Sequence, residues 1–427
     1  MARASIAAVA QVLDRAHITG EMDDHCSQRA AIGAGQDARQ IGLGWGDRRR
    51  AGHDRTFSFH RQLRLTSPGT TSHRAARRGY GVAPMGLPLR FGIVHDFRCP
   101  PGSDVPMPRV YAETFEQVVL AEQWGLELCW FTEHHFLEDG YLPNFVPVAG
   151  AAAALTTKMR FSTDICLLPF RHPVRLAEDL AILDNISNGR MELGVGMGYA
   201  IGEFDGFGVP RPRRVSLTEE CIEVLRLAWT GERFSFSGKR YNFSDLRVTP
   251  DPVQPGGPPL WMGATSEASA RRAARFDTHL LPQGARGAVL DPWAVELRAS
   301  GRDPSQYRVG VIRGVFVTED PEREWAEIAK AERYRRDVYI DLIKASKDQV
   351  MGGRPEGPRQ PIPLNPLQWT VGSVEHCVEE LSTMMAEHGI TDLVTWGGPP
   401  GLAPSVMNAS LERFAKEVIP QIRARLG

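Results

Sequence analysis

Short apolar runs alternate with segments of helical periodicity along most of this chain, beginning near Leu89. The apolar runs predict eight strands, at residues 89–97, 126–131, 160–169, 191–196, 259–262, 279–281, 308–317 and 392–396. Apolar residues at three- and four-residue spacing predict helices at 114–124, 174–186, 215–229, 266–276, 374–388 and 411–426. This alternation favours a parallel sheet with right-handed crossovers, and eight strands favour its closure into a (β/α)₈ TIM barrel of the α/β class.

Two stretches interrupt the alternation. Residues 234–248 carry aromatic side chains on both sides of Ser237-Gly238-Lys239, which predicts an inserted β-hairpin. Residues 344–368 are rich in Gly, Pro and Arg, and they are interpreted as a lid-like loop before the final barrel unit. Plain disorder is the alternative for this second stretch.

The first 84 residues differ in composition from the rest of the chain. They hold thirteen arginines and seven acidic residues, so this segment has a net charge of +6 within a chain of net charge −1. It is rich in Gly, Ser, Gln and Arg and lacks sustained apolar periodicity, which predicts a disordered extension at 1–84 and a barrel domain at 85–427. A functional basic arm is one alternative. Another is that Met85 is the native start, in which case 1–84 is not part of the native protein.

Charge and cysteine content narrow the class of protein. A net charge of −1 gives no basis for binding nucleic acid or an anionic membrane surface. The six cysteines include no Cys-x-x-Cys pair, so they favour neither a disulfide framework nor a zinc site. No apolar run reaches the roughly 20 residues that span a bilayer, and Gln11, Asp14 and Arg15 interrupt the N-terminal apolar stretch too early for a signal peptide. These features predict a cytoplasmic enzyme.

The segment Thr132-Glu133-His134-His135-Phe136 directly follows the second predicted strand. The carboxyl ends of barrel strands carry the active site, and histidine is well suited to moving a proton near neutral pH. The position therefore favours a functional role over a structural one. Metal binding is the main rival, but adjacent residues of an extended strand point to opposite faces, so His134 and His135 are poorly placed to bind one ion. The sequence also lacks His-x-His, His-Glu-x-x-His, Gly-x-Ser-x-Gly and Walker A motifs.

Two further segments follow predicted strands. Gly194, Gly196 and Gly198 alternate after the fourth strand, where glycine lets the backbone approach a flat or phosphorylated ligand, although such runs are common. After the fifth strand, Thr265 or Ser266 is placed to cap a helix whose free N–H groups could hold a phosphate. An ordinary helix cap is the alternative for this segment.

Several segments, in their order along the chain, together resemble the bacterial luciferase-like family of flavin-dependent monooxygenases: 132–136, 167–179, 183–190, 194–199 and 203–208. The similarity runs from about residue 89 to 208 and resumes from 259 to the C-terminus. The resemblance implies a barrel that binds reduced flavin, usually FMN, at the carboxyl ends of its strands.

The resemblance also implies roles for individual residues. His134 corresponds to the catalytic base or acid beside the flavin. Asp164 and Ile165 lie where the family often has a non-proline cis peptide under the isoalloxazine ring. The residues implied to bind the cofactor and its phosphate are Glu133, Asp164, Ile165, Gly196, Met197, Gly198, Tyr199, Ser266, Glu267 and Ala268. No metal ligand is implied.

Met197 departs from the family pattern, which has arginine at this position for the flavin phosphate. Methionine makes no charge-assisted hydrogen bond, so the phosphate would depend on backbone amides, on Ser266, or on an arginine such as Arg171 or Arg175. The departure leaves the cofactor open between FMN and the deazaflavin F420, which some relatives use for hydride transfer without oxygen.

The leading hypothesis is a monooxygenase that oxidises a small organic substrate with O2 and reduced FMN. No segment resembles an NAD(P)H-binding Rossmann unit, so a separate reductase is expected to supply the reduced flavin. The alternatives are an F420-dependent oxidoreductase of the same fold, a flavin-binding protein without catalysis, and a metal-dependent barrel hydrolase. The resemblance further implies a homodimer, formed through helices near the second and third strands.

Overall fold

The computed structural model describes residues 86–284, 286–346 and 368–427. The predicted extension at 1–84 and residues 347–367 of the predicted lid-like segment lie outside this part of the chain. Within the described ranges, no helix is long and apolar enough to cross a membrane.

Strands form at all eight predicted positions, and the inserted hairpin is also present. The strands are β1 (Arg90–His95), β2 (Leu128–Phe131), β3 (Arg160–Thr163), β4 (Cys166–Leu167), β5 (Leu193–Gly196), β6 (Phe234–Ser237), β7 (Asn242–Leu246), β8 (Leu260–Ala264), β9 (His279–Pro282), β10 (Gly310–Ile312), β11 (Gly314–Val317), β12 (Trp369–Gly372) and β13 (Asp392–Trp396). β3 and β4 are two parts of the third predicted strand, and β10 and β11 are two parts of the seventh. β6 and β7 pair antiparallel, as the hairpin requires.

Hydrogen bonding joins the barrel strands into a closed ring. One parallel sheet has the order β10-β13-β1-β2-β3, and a second has the order β4-β5-β8-β9. Isolated parallel bridges join these sheets at both edges, between Phe161 and Met191 and between Leu280 and Val309. The predicted (β/α)₈ TIM barrel is therefore confirmed. β12 pairs with β11 beside this ring.

The helices are α1 (Met107–Trp124), α2 (Phe145–Leu155), α3 (Pro173–Ser187), α4 (Ile201–Gly206), α5 (Arg214–Ala228), α6 (Glu267–Arg275), α7 (Arg286–Ala299), α8 (Pro321–Glu324), α9 (Ala326–Ser346), α10 (Val374–His388), α11 (Asn408–Arg413) and α12 (Ile419–Leu426). The six helices predicted from periodicity are all present, the last as α11 and α12 joined by one π-helical turn. α2 was missed because its alanine-rich sequence is apolar on almost every face. α7 was not predicted either, because its internal proline, Pro292, is unfavourable within a helix.

Large side chains fill the inside of the barrel. Trp130, Trp261 and Trp396 are almost completely buried there, together with smaller aliphatic residues of the same strands. The rings of Trp130 and Trp261 meet edge to face, with centroids 5.8 Å apart. The barrel interior is therefore a packed core, and ligands have access only at its ends.

Buried ion pairs connect the amino ends of the barrel strands. Glu192 accepts hydrogen bonds from Arg90 at 2.7 Å, Arg160 at 2.6 Å and the indole N–H of Trp261 at 2.8 Å. Arg90 also pairs with Asp392 at 2.6 Å. Burial alone would raise the pKa of Glu192, but Arg90 and Arg160 lower it to about 2. These contacts close the end of the barrel that lies opposite the carboxyl ends of the strands.

Replacing Glu192 with Gln is expected to lower the free energy of unfolding by about 3 kcal/mol, because Arg90 and Arg160 lose the charge that compensates their burial. The folded-state pKa of Glu192 lies below its ordinary value of 4.5. Its contribution is therefore fully present above that value and is lost as the pH falls towards about 2. Urea unfolding at pH 7 and at pH 3 measures both effects. Glu322→Gln, exposed on α8, is the control, and equal stability of the two variants would contradict this role of Glu192.

Candidate active site

A cavity of about 180 Å³ opens at the carboxyl ends of the barrel strands. Its lining comprises Thr132, Glu133, His134, Tyr141, Asp164, Ile165, Leu167, Gly196, Met197, Gly198, Tyr199, Gly263, Thr265, Ser269, Gln283, Ile312, Tyr339, Ile343 and Trp396. Eight of the eleven predicted site residues are among them: Glu133, His134, Asp164, Ile165, Gly196, Met197, Gly198 and Tyr199. Ser266, Glu267 and Ala268 are exposed and do not line the cavity.

His134 is held by a buried carboxylate. Its Nδ1 lies 2.8 Å from Glu203 Oε1, and the two side chains are only 7% and 2% exposed. The same oxygen accepts the backbone N–H of His135 at 2.9 Å. Because the Glu203 carboxylate accepts a hydrogen bond from Nδ1, that nitrogen carries a hydrogen. The other ring nitrogen, Nε2, lies on the opposite side of the ring. Nε2 lies 3.4 Å from the hydroxyl of Tyr199, and both residues line the cavity.

Three tyrosines surround the ring of His134. Tyr141, Tyr199 and Tyr339 each meet it edge to face, with centroids 5.0, 5.6 and 5.6 Å away. The hydroxyls of Tyr141 and Tyr339 are hydrogen-bonded at 2.6 Å. Burial raises the pKa of Tyr339 to about 12, and it also raises the pKa values of Tyr141 and Tyr199. All three phenols therefore remain protonated near neutral pH. Because one of the Tyr141 and Tyr339 hydroxyls donates to the other, at most two of the three can donate hydrogen bonds into the cavity.

Glu133 and His135 form a second polar cluster beside His134. Glu133 accepts from Arg171 at 2.8 Å and lies 3.1 Å from His135 Nε2. His135 does not line the cavity, and its ring packs edge to face on Phe170 and Phe207. The ion pair with Glu133 already engages Arg171, one of the two arginines considered for the flavin phosphate.

The other arginine considered for the phosphate, Arg175, lies in α3. Its side chain is 74% exposed and pairs with Asp179 at 3.2 Å. Neither Arg171 nor Arg175 lines the cavity. In this conformation, both arginines are engaged elsewhere and provide no direct substitute for a cation at Met197.

The cavity floor contains the peptide bond between Asp164 and Ile165, which is cis, as the resemblance implied. The Ile165 side chain extends over Gly196, where an added Cβ would lie 1.7 Å from its Cδ1. Gly263, on the neighbouring strand, also lies under Ile165. Glycine at 196 is therefore required so that Ile165 can lie flat across the carboxyl ends of β5 and β8.

The start of α6 has a capping arrangement. Ser266 and Ser269 form a capping box, and Ser269 Oγ accepts the backbone N–H groups of Thr265 and Ser266, both at 3.0 Å. Thr265 and Ser269 line the cavity. The first amides of a helix have no partner within it, and Glu267 and Ala268 carry the first two amides of α6.

Helix α9 contributes Tyr339 and Ile343 to the cavity and is anchored by buried charges. Arg335 is fully buried and pairs with Asp96 and, at 2.9 Å, with Glu332. Its guanidinium lies 3.7 Å from the ring centroid of Trp396, another lining residue. These contacts fix the helix against the ends of the strands and leave Tyr339 beside His134.

Sequence reasoning missed several of these residues. Glu203 stood in one of the segments that carried the resemblance, but no role was assigned to it. Tyr141 lies only seven residues after His134 but had no distinguishing pattern. Tyr339 comes from a helix that had not been predicted, and Gln283 from a loop without a motif. Only their positions in the folded chain connect them with His134 and Asp164.

Among the described residues, no group of three or more His, Cys, Asp or Glu side chains is arranged to hold a metal ion. The polar side chains around the cavity instead offer a histidine, carboxyls, phenols, aliphatic hydroxyls and the amide of Gln283. This donor set suits proton transfer and hydrogen bonding to an organic ligand.

Comparison with known proteins gives consistent matches. The family model described as luciferase-like monooxygenase matches residues 89–392. An uncharacterised protein of Sinorhizobium fredii, y4vJ, is 30% identical over 250 residues, which cover 57% of this chain and 71% of that protein. The oxygenating constituent of 3,6-diketocamphane monooxygenase from Pseudomonas putida, solved in complex with FMN, has a TM-score of 0.63 and 20% identity, covering 78% of this chain and 99% of that one.

An F420-dependent secondary alcohol dehydrogenase, solved with an F420-acetone adduct, is also similar. Its TM-score is 0.60 and its identity 19%, covering 79% of this chain and 99% of that one. At such identities the two solved structures show a common fold, and they use different cofactors on it. The family model spans most of the barrel, and on that match the chain belongs to the luciferase-like monooxygenase family.

Proposed function

We propose that this protein is a flavin-dependent monooxygenase that uses reduced FMN and O2 to oxidise a small organic substrate. The observation that carries the proposal is the buried pair of His134 and Glu203, which faces a cavity at the carboxyl ends of the barrel strands. Membership of a family with FMN- and F420-dependent structural neighbours supports an oxidoreductase.

The cavity residues fit a flat heterocyclic ring. Ile165, supported by Gly196 and Gly263, offers an apolar surface, and His134 with its tyrosines forms a polar wall. Gly196, Met197, Gly198 and Tyr199 would line the ring, because they follow β5 into the same cavity. When bound, the flavin supplies the redox chemistry, and the protein supplies binding, orientation and proton transfer.

The phosphate end of the cofactor is assigned to the start of α6. The amides of Glu267 and Ala268 would donate to it, and the helix dipole favours an anion there. The guanidinium of Arg214, at the start of α5, lies near those of Arg211 and Arg272, since burial and these two cations lower its pKa. These groups would take the role that arginine has in the family at the position of Met197.

His134 is the group that we assign to proton transfer. Its Nδ1–H donates to Glu203, so Nε2 is the atom left to exchange a proton with a reacting group. The Tyr199 hydroxyl, 3.4 Å from Nε2, is placed to donate to the same region. Tyr339, Ile343 and Trp396 would exclude water from one side of the cavity.

The expected protein partners are a flavin reductase and a second copy of this chain. A separate flavin reductase would supply reduced FMN, because no segment resembles a nicotinamide-binding unit. A homodimer formed through helices near the second and third strands remains a proposal from the family resemblance.

An F420-dependent oxidoreductase is the second candidate. Met197 favours it, since the arginine that the family uses for the FMN phosphate is missing. The F420-dependent alcohol dehydrogenase of the same fold is consistent with this alternative. Hydride transfer would then replace oxygen chemistry, with His134 again handling the proton.

Anaerobic titration of the purified protein with reduced FMN and with reduced F420 tests the cofactor. Reduced FMN is expected to bind more tightly, and addition of O2 with a flavin reductase should then produce substrate-dependent oxygen consumption. Tighter binding of F420 would favour the second candidate. Binding of neither cofactor would contradict both.

His134→Ala is expected to reduce turnover by about 100-fold or more, since a positioned general acid or base contributes that much. The flavin Kd should change by less than about threefold, because the cavity floor and the start of α6 remain. Single-turnover kinetics and flavin titration measure the two effects separately. His376→Ala, on the exposed face of α10, is the control. Unchanged turnover in the His134 variant would show that the assignment is wrong.

Glu203→Gln is expected to lower kcat by about 100-fold with little change in flavin Kd, because a neutral amide no longer fixes the hydrogen on His134 Nδ1. Glu203→Asp, which keeps the charge, should recover part of the activity. Stopped-flow kinetics of all three proteins provides the measurement. Equal kcat values for the Gln variant and the wild type would exclude a positioning role for Glu203.

A further inference from the structure

Asp164 and Gln283 meet on the cavity floor, although two other strands separate β3 and β9 in the barrel ring. Gln283 Nε2 donates to Asp164 Oδ2 at 3.3 Å. The backbone of each residue is held independently, since the Asp164 N–H donates to Phe131 O at 2.9 Å and the Gln283 N–H to Ala264 O at 2.8 Å. The strand ends therefore position this pair.

The cavity gives the Asp164 carboxyl no cationic partner. No lysine or arginine of the described residues belongs to its lining. The titratable groups that face the same cavity come from the loops after β2 and β5 and from α9, and they are Glu133, His134, Tyr141, Tyr199 and Tyr339. Of these, Glu133 is paired with Arg171. Withdrawal from water raises the pKa of Asp164 to about 7, so the neutral acid is a major form near neutral pH.

A neutral carboxyl group offers one O–H donor and one C=O acceptor side by side. A cyclic imide edge offers the complementary N–H donor and C=O acceptor in one plane. Pairing the two forms hydrogen bonds without burying a charge, which suits a cavity whose described lining contains no lysine or arginine. Because Oδ2 accepts from Gln283, Oδ1 is the oxygen assigned to carry the proton. Oδ2 keeps a second lone pair for a ligand.

We infer that Asp164, as a neutral acid oriented by Gln283, binds the imide edge of the flavin ring. Oδ1–H donates to a ring carbonyl, and Oδ2 accepts the ring N–H. FMN and F420 carry the same imide edge, so the inference rests on the proposed function with either cofactor. It adds the side chain that recognises the pyrimidine end of the ring.

If Asp164 binds the flavin ring as a neutral acid, the affinity for the ring must fall as the pH rises. Loss of the Oδ1 proton removes the donor and places a negative charge beside the ring carbonyl. Ring binding is therefore strongest below the pKa of Asp164, at about 7, and weakens as the pH rises through it. Asparagine at 164 offers an N–H donor and a C=O acceptor that do not titrate, so Asp164→Asn should bind the ring with no Asp164-dependent pH effect.

The experiment uses reduced lumiflavin and reduced 3-methyllumiflavin in anaerobic calorimetric titrations at pH 6 and pH 8.5. Lumiflavin lacks the phosphate chain and isolates ring binding, and the 3-methyl compound lacks the imide N–H. At pH 6 the wild type is expected to bind lumiflavin about tenfold or more tightly than the methylated compound. Asp164→Leu should lose that preference, and Asp164→Asn should retain it. From pH 6 to pH 8.5 the Kd of the wild type should rise about tenfold or more relative to that of the Asn variant, because only the wild type contains the titrating Asp164 carboxyl.

Several outcomes would overturn the inference. These are an equal affinity of the wild type for both lumiflavins, retention of the preference in Asp164→Leu, and a wild-type affinity that increases with pH. The methylated ligand tests the wild type even if the Leu variant fails to fold. Asp245→Asn, whose side chain is 75% exposed on the hairpin, is the matched control and should follow the wild type at both pH values. Parallel titrations with FMN and F420 separate the two claims, because failure of the wild type to bind either cofactor counts against the proposed function itself.

Discussion

The carboxylate of Glu192 connects strand starts that are far apart in the sequence. Arg90 begins β1, Arg160 begins β3, and both donate to this one buried group. A buried charge is tolerated only where opposite charges and hydrogen bonds compensate it. The contacts therefore require these strands to begin at the same height along the barrel axis. With that end closed and the interior filled by tryptophans, the carboxyl ends of the same strands are left to form the ligand cavity.

A second buried carboxylate, that of Glu203, organises the residues at the cavity. Glu203 binds His134 Nδ1 and the backbone N–H of His135, so one buried oxygen fixes both the ring and the loop that carries it. Arg335 places α9 against the strand ends through Asp96 and Glu332. The surrounding tyrosines keep the imidazole of His134 in one orientation. A group that exchanges protons with a ligand needs such a fixed orientation.

Cation placement distinguishes the two sides of the cavity. Arg171 compensates Glu133 on the cavity wall that holds His134. Among the described residues, no lysine or arginine lines the floor, where Asp164 accepts a hydrogen bond from the amide of Gln283. Desolvation thus raises the pKa of the Asp164 carboxyl, whereas the Glu133 carboxylate of the same cavity pairs with Arg171. Met197 extends the contrast, because it places an uncharged side chain among the residues that follow β5 into the cavity.

The amino-acid sequence by itself determined the eight strands, most of the helices and the position of His134, because apolar periodicity and the order of motifs are local properties of the chain. It also indicated the cis bond at Asp164, through a family resemblance. Tertiary structure decided the rest. Glu203 meets His134 from 69 positions away, and Gln283 meets Asp164 from 119. Tyr339 reaches the cavity from a helix without a recognisable signal. Such contacts depend on where the barrel brings strand ends and helices together, and that geometry exists only after the ring has closed.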